Sequence, residues 1–317
     1  MTPYLQTAHG FARRVATLSL ATLFLTTVGL TLRAQASPSR NSSGIIRAVG
    51  AENEYANVLA QIGGRYVSVS SILNNPNTDP HAFEASTRVA QEVSQAQLIV
   101  QNGVGYDHFM NNIESASPSS TRHVIVVQNV LGLPTATPNP HLWYNPTTMP
   151  VVARAMAKDL SEIQPRHATY FRAQLSTFIA SLRPWLRAIA AFKRAHAGTS
   201  VAVTEPVVDY MLQAMGMTIA TPFVFQADIM NGVDPAPQAI TQEDALFTSH
   251  RVKVFCYNEQ VVSSLTESIL GTARRAGVPV VGVYETMPTG YHYQNWMLAE
   301  VNAISAAVEH RTSTEHL

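Results

Sequence analysis

Residues 147–194 read TTMPVVARAMAKDLSEIQPRHATYFRAQLSTFIASLRPWLRAIAAFKR, and the fold turns on this stretch. Its pattern is helical for almost its whole length. Pro165 divides it, because proline lacks an amide hydrogen and disfavours helix in the residue before it. One helix is therefore expected over 147–163 and a longer one from 165 to about 194. In the second piece Tyr170, Phe171, Leu175, Phe178, Ile179, Leu182, Leu186, Ile189 and Phe192 recur at helical spacing and form an apolar stripe. Pro184 interrupts that piece and is expected to kink it. No Gly/Ser-rich linker occurs in the chain. If the flanking regions are separate lobes, this helix joins them.

Working outward, both flanks alternate between strand and helix. Upstream, 45–50, 66–73, 98–101 and 123–127 read as strands, with helices at 53–64, 86–96 and 106–113. Downstream, 200–204, 217–220, 252–257 and 278–284 read as strands. Helices fall at 207–215, 238–250 and 261–276, with a last one ending near 308; 226–237 reads as irregular and polar. Such alternation predicts parallel sheets covered by helices. The expected fold is therefore α/β with two lobes, each a mainly parallel sheet flanked by helices, joined by one long rigid α-helix. The lobes are bounded at 37–164 and 198–317, with the connecting helix at 165–197. Ligands in such sheets gather at the carboxyl ends of the strands.

The amino terminus is of another kind. Arg13 and Arg14 precede an apolar run over 15–32, and Ala34-Gln35-Ala36 follows as a small-x-small site, so 1–36 reads as a secretory signal peptide cut after Ala36. An uncleaved membrane anchor is the alternative. The whole chain has 317 residues, 46% of them apolar and 13% charged, enough for a sizeable core. Removing Arg13, Arg14 and Arg33 with the signal segment leaves 18 of the 21 basic residues against 21 acidic ones. That balance gives no reason to expect nucleic acid or an anionic membrane as partner. Cys256 is the only cysteine, so no internal disulfide and no lipidated cysteine at the cleavage site is expected. A periplasmic protein without a lipid anchor follows.

Four polar residues sit just past strands. His81 ends the loop Asn74-Asn75-Pro76-Asn77-Thr78-Asp79-Pro80-His81, and His141 lies in Asn139-Pro140-His141-Leu142-Trp143-Tyr144-Asn145-Pro146. The prolines stiffen the second loop, and Asn145 is placed to cap a helix with Pro146 at its first position. Glu205 closes 200–204 and Glu285 closes 278–284. Two imidazoles and two carboxylates, a pair from each half, make a mixed nitrogen and oxygen set for a divalent transition metal. Their separations of 60, 64 and 80 residues carry no motif of their own. Each has an ordinary alternative: a polar loop histidine for His81 and His141, a helix cap for Glu205, a solvated turn residue for Glu285. Asp228 and Asp234 are reserve candidates. His108, His123, His167, His196, His250 and His292 have no clustered partner in the sequence and read as ordinary. The scattered methionines do not form the soft set that copper prefers.

Asp79-Pro80-His81-Ala82-Phe83-Glu84 resembles the first ligand loop of the zinc/manganese substrate-binding proteins of ABC importers, the cluster A-I periplasmic solute-binding proteins. Asn139-Pro140-His141-Leu142-Trp143 is similar to that family's second loop, where an aspartate often precedes the proline. Glu205 falls where the family uses His or Glu, Glu285 where it usually has Asp, and Asn102-Gly103 before a short aromatic-containing helix also looks alike. The resemblance implies a monomeric periplasmic receptor, not an enzyme. It would capture Zn2+ or Mn2+ with His81, His141, Glu205 and Glu285 and deliver the ion to a membrane permease. Many zinc-selective members carry a His/acid-rich loop before the second histidine, whereas 131–138 is short and uncharged. That, with Glu205, leans the site toward oxygen-rich coordination and manganese, while zinc binds more tightly to most such sites. The rival reading is a metal-dependent hydrolase with His81, His141 and Glu205 as ligands, an open water position and Glu285 as base; H-E-x-x-H and G-x-S-x-G are both missing from the chain. A third reading keeps the two lobes but binds a metal chelate or organic ligand.

Overall fold

A computed structural model describes residues 44–317; the expected signal segment lies outside the described residues. The first sheet is built from β1 (Ile46–Glu52), β2 (Val67–Leu73), β3 (Leu98–Gln101) and β4 (His123–Val126). Helices α1 (Asn53–Gly63), α2 (Thr87–Gln95), α3 (His108–Ala116) and α4 (Val127–Val130) accompany them. Then come α5 (Thr148–Ile163), α6 (Ala168–Ser181) and α7 (Arg183–His196). The second sheet holds β5 (Ser200–Val203), β6 (Thr218–Ile219), β7 (Val254–Asn258) and β8 (Val280–Val283). Its helices are α8 (Asp209–Ala214), α9 (Phe223–Met230), α10 (Pro237–Thr248), α11 (Ser264–Arg275) and α12 (Tyr293–His310).

Both sheets are parallel throughout and share one strand order, β2-β1-β3-β4 and β6-β5-β7-β8. β3, β7 and β8 are buried along their whole length, and their continuous apolar runs suit sheets covered on both faces. Strand order reverses between β1 and β3 and again between β5 and β7, so ligand crevices are expected at the ends of those strands.

The joining helix follows the expected path in two pieces. Gln164 (φ −132°, ψ 78°) breaks away from α5, and Pro165 opens the next turn. Leu182 stays in right-handed helical geometry between α6 and α7. Pro184 has no amide to offer the Ala180 carbonyl, and Arg183 Nε donates to that oxygen instead at 3.2 Å. Phe171, Phe178, Leu182, Ile189 and Phe192 are buried as the stripe requires, and Trp185 is buried beside them, whereas Leu186 is 38% exposed.

One apolar core spans both sheets. It runs from Ile46, Leu98 and Trp143 through Trp185 to Val254, Tyr293 and Trp296. The Trp185 and Tyr293 rings meet edge to face at 5.9 Å, and Tyr293 Oη donates to the Trp143 carbonyl at 2.6 Å. Asn53 exchanges two 2.8 Å bonds with the Met287 backbone, clasping the start of α1 to the segment after β8.

Two local expectations are corrected. The region 226–237 is not irregular throughout: its first residues complete α9, so Asp228 lies on a helix. Asn145 does not cap α5 with Pro146 inside it. The helix starts at Thr148, and Asn145 Oδ1 instead accepts from Thr147 N (3.0 Å) and Oγ1 (2.9 Å).

Candidate metal centre

The loop after β2 delivers His81. Asp79 accepts the His81 amide at 2.8 Å and Pro80 opens a single tight turn. Gln260, just past β7, reaches across to donate to the Thr78 carbonyl at 2.8 Å.

His141 is held more tightly. The Pro206 carbonyl can only accept, so the Asn139 amide nitrogen, 2.7 Å away, must face it and the amide oxygen must face His141. That oxygen takes the His141 backbone N–H at 3.0 Å and ring Nδ1 at 2.8 Å. Nδ1 therefore carries a proton, and Nε2, which faces the cleft, is the nitrogen left to hold a proton shared with Glu285 or a metal ion. Asn102 donates to the Pro140 carbonyl at 2.8 Å and Tyr210 to the Asn139 carbonyl at 3.0 Å, so the loop is pinned from both lobes. Asp107 supports Asn102 and Gly103 by accepting their amides at 2.5 and 2.9 Å.

Glu285 follows β8 and is buried. Gln260 Oε1 accepts the Glu285 amide at 2.7 Å. The carboxylate Oε2 lies 3.2 Å from His81 Nε2 and 3.2 Å from His141 Nε2, and accepts from Tyr106 Oη at 2.9 Å. One ligand atom each from His81, His141 and Glu285 falls within 4.8 Å of the other two. Around an ion with bonds of about 2.0–2.2 Å, tetrahedral neighbours stand about 3.4 Å apart, close to this spacing.

Glu205, just past β5, is buried beside this trio but outside it. Asn258, the last residue of β7, links the two carboxylates: its Nδ2 is 2.8 Å from Glu285 Oε1 and 3.2 Å from Glu205 Oε2. Glu205 Oε1 is buried with no hydrogen-bond partner among the described residues. It does not cap α8, which begins at Asp209 with Val208 before it. Asp228 and the exposed Asp234 join no cluster of three ligand groups among the described residues.

The electrostatics describe a site short of positive charge. Burial pushes the Glu285 carboxyl upward, but hydrogen bonds from His141 and His81 outweigh it and hold the group well below the usual carboxylate range. Burial, then the charge of Glu285, push Glu205 well above that range. Burial lowers His141, whereas at His81 the bond and charge of Glu285 overcome burial and raise it. In this arrangement Glu285 Oε2 accepts protons from the imidazole nitrogens that face it, with a second buried carboxyl beside it, and a divalent ion can replace those protons.

Tyr106, Asn258 and Gln260 were not singled out from sequence. Asn258 stands at a strand end like the proposed ligands, and that position was the available signal. Four histidines read as ordinary do have partners: His196 with Glu309 at 3.0 Å, His292 with Asn57 at 3.0 Å, His167, which accepts from Arg166 Nε at 3.1 Å, and His123 with Asp159 and Glu162.

Among curated proteins, the chain is 25% identical over 176 residues to the metal ABC transporter substrate-binding lipoprotein ScbA of Streptococcus cristatus, covering 51% of this chain and 56% of that one. It is 24% identical over 180 residues to the manganese ABC transporter substrate-binding lipoprotein PsaA of Streptococcus anginosus, covering 52% and 57%. The matched region thus spans little more than half the length of these relatives. Among solved structures, ZnuA aligns with TM-score 0.68 at 19% identity, over 84% of this chain and 100% of that one. FpvC of Pseudomonas aeruginosa in complex with Mn2+ aligns with TM-score 0.69 at 19% identity, over 84% and 99%. These likenesses show the two-lobed fold. The family model described as zinc-uptake complex component A, periplasmic, matches residues 49–307, and the chain belongs to that family.

Proposed function

We propose that this protein is a periplasmic receptor that captures a divalent transition metal between its lobes and hands it to an ABC permease. The carrying observation is the convergence of His81 Nε2, His141 Nε2 and Glu285 Oε2 on one buried point. His81, His141 and Glu285 are the ligands in this reading, and Glu205, with its unpartnered oxygen, moves in as the fourth. The cargo is Zn2+ or Mn2+: imidazole suits zinc, and two carboxylates suit manganese. Relatives named for manganese, and FpvC in complex with Mn2+, support a cargo of this class. The family is one of metal-uptake components rather than enzymes, and four protein ligands leave no position for a reacting water. The hydrolase reading is set aside.

The side chain of His81 is 26% exposed, whereas His141 and Glu285 are closed off. An open groove of about 360 Å³ beside it, lined by Asp79, Ile229, Met230 and Val261, offers the ion its entrance. The reading includes a monomer with no nucleic-acid partner, divided at 37–164, 165–197 and 198–317. It also includes export by the 1–36 segment without a lipid anchor; Cys256 is buried in β7 and unsuited to lipid attachment. The test is metal titration of the purified protein and its variants. His81→Ala, His141→Ala and Glu285→Ala are expected to lose tight binding, and Glu205→Ala to weaken it, with affinity falling from pH 8 to 5 as protons compete for the ligands. Full metal content in His141→Ala would falsify the site.

A further inference from the structure

The far end of the first lobe carries a second group of ligand-type side chains. His123 opens β4, paired with Leu98 at the amino ends of the strands, opposite the cleft. Asp159 and Glu162 stand three residues apart on α5, and so on neighbouring positions of one helix face. At about 1.5 Å of rise per residue, Asp159 lies about 17 Å along α5 from its Thr148 end, so this group shares nothing with the cleft.

His123 Nδ1 is 3.5 Å from Asp159 Oδ2 and 4.0 Å from Glu162 Oε2. One ligand atom from each of the three lies within 4.8 Å of the others, the same criterion the cleft trio meets. The adjacent cation, Lys158, takes the opposite oxygens: its Nζ is 2.9 Å from Glu162 Oε1 and 3.6 Å from Asp159 Oδ1. Each carboxylate therefore spends one oxygen on Lys158 and turns the other toward the imidazole. Two carboxylates against one ammonium leave a net negative charge around Nδ1. The side chains are 30%, 15% and 50% exposed for His123, Asp159 and Glu162, open enough for an ion to arrive with water still bound.

We propose that His123, Asp159 and Glu162 form a second, surface metal site for a borderline divalent ion such as Zn2+ or Ni2+. One imidazole and two carboxylates suit that class, and water completes the coordination. An ion here ties the edge strand β4 to the last turns of α5. Because the site is exposed and has only three protein ligands, it fills after the cleft.

The proposal is tested by equilibrium dialysis of untagged protein against Zn2+, with elemental analysis of bound metal. The expected result is two equivalents for the native protein, the weaker one lost in His123→Asn and in Asp159→Asn while the tighter one stays. His123 ring signals should also broaden when Ni2+ is added to native protein whose cleft is already filled with Zn2+, a readout that does not depend on any variant folding. One equivalent in the native protein, two retained in both variants, or unaltered His123 signals would each overturn it. Failure of the cleft reading looks different: His141→Ala would then keep the tight equivalent, and His123→Asn would still remove the weak one.

Discussion

At the scale of single residues, the cleft is organised by amides as much as by its ligands. Asn139 fixes the protonated nitrogen of His141, and Asn258 holds two carboxylates with one NH2 group. Removing such an outer partner typically costs 10–100-fold in metal affinity. Asn139→Ala is accordingly expected to bind metal about 10–100-fold more weakly by competition with a chelator, with the same circular dichroism as the native protein. Native affinity in that variant would mean that the bond to Nδ1 does not position the ring. His81 and His141 were legible because each lies on a proline-stiffened loop that resembles a ligand loop of the family, and Glu285 because it stands just past β8, where the family usually has Asp. Asn258 and Tyr106 were not, because neutral hydrogen-bonding residues at such positions are common and their value depends on what lies across the cleft. Glu205 was legible as a position, but its distance from the trio is set by Asn258, which no spacing in the sequence reports.

At the scale of elements, periodicity located the strands and the long helix because burial on two faces and on one stripe leave different repeats. It missed α9, whose eight residues FVFQADIM bury Phe225, Gln226 and Ile229 yet expose Phe223 and Val224, so no clean apolar face marks it as helical. The carboxyl-terminal tail was also invisible, since a single bridge carries little pattern. Thr314 pairs with Val281 alongside β8, accepting from Gly282 N and donating to Val280 O, both at 2.9 Å. Arg274 pairs with Glu315 beside it. Gly282 permits this approach: a Cβ there would stand 1.8 Å from the Glu315 carbonyl oxygen, backbone that cannot swing aside. Gly282→Ala is thus expected to expel the tail and destabilise the protein by about 1–3 kcal/mol, the usual cost of overpacking. Thermal melting against a form truncated before Ser313 is the check. The two should melt together, below the native protein, and a native melting temperature in Gly282→Ala would show that the tail is not held by this contact.

At the scale of the whole molecule, the interior carries several carboxyl groups whose pKa burial raises. Burial raises Glu300 to about 8, Glu243 to about 8 and Asp209 to about 7, from ordinary values of 4.5, 4.5 and 3.8. A carboxyl whose folded pKa lies above its unfolded one binds more protons in the folded state. Its contribution is therefore complete below the unfolded value and is lost as pH rises through the folded one, at no more than about 1.4 kcal/mol per pH unit for each group. Stability is expected to fall between pH 7 and 9, where Glu285, held far lower, stays ionised and contributes no slope. Glu300 is the cleanest probe. Its Oε1 accepts from Trp296 Nε1 at 3.0 Å and lies 3.3 Å from Tyr144 Oη, whose one proton is shared with the nearer Tyr284 carbonyl, and an amide oxygen in Glu300→Gln keeps both contacts. Urea unfolding of metal-free protein at pH 7 and pH 9 should show the native protein losing stability across that interval and Glu300→Gln losing less. Because Tyr144 also donates to the Tyr284 carbonyl next to Glu285, at 2.8 Å, that variant should keep its metal affinity at pH 7 if the carboxyl serves packing alone. A native protein equally stable at both pH values would mean that these carboxyls ionise in the fold without cost, against the burial that each of them shows.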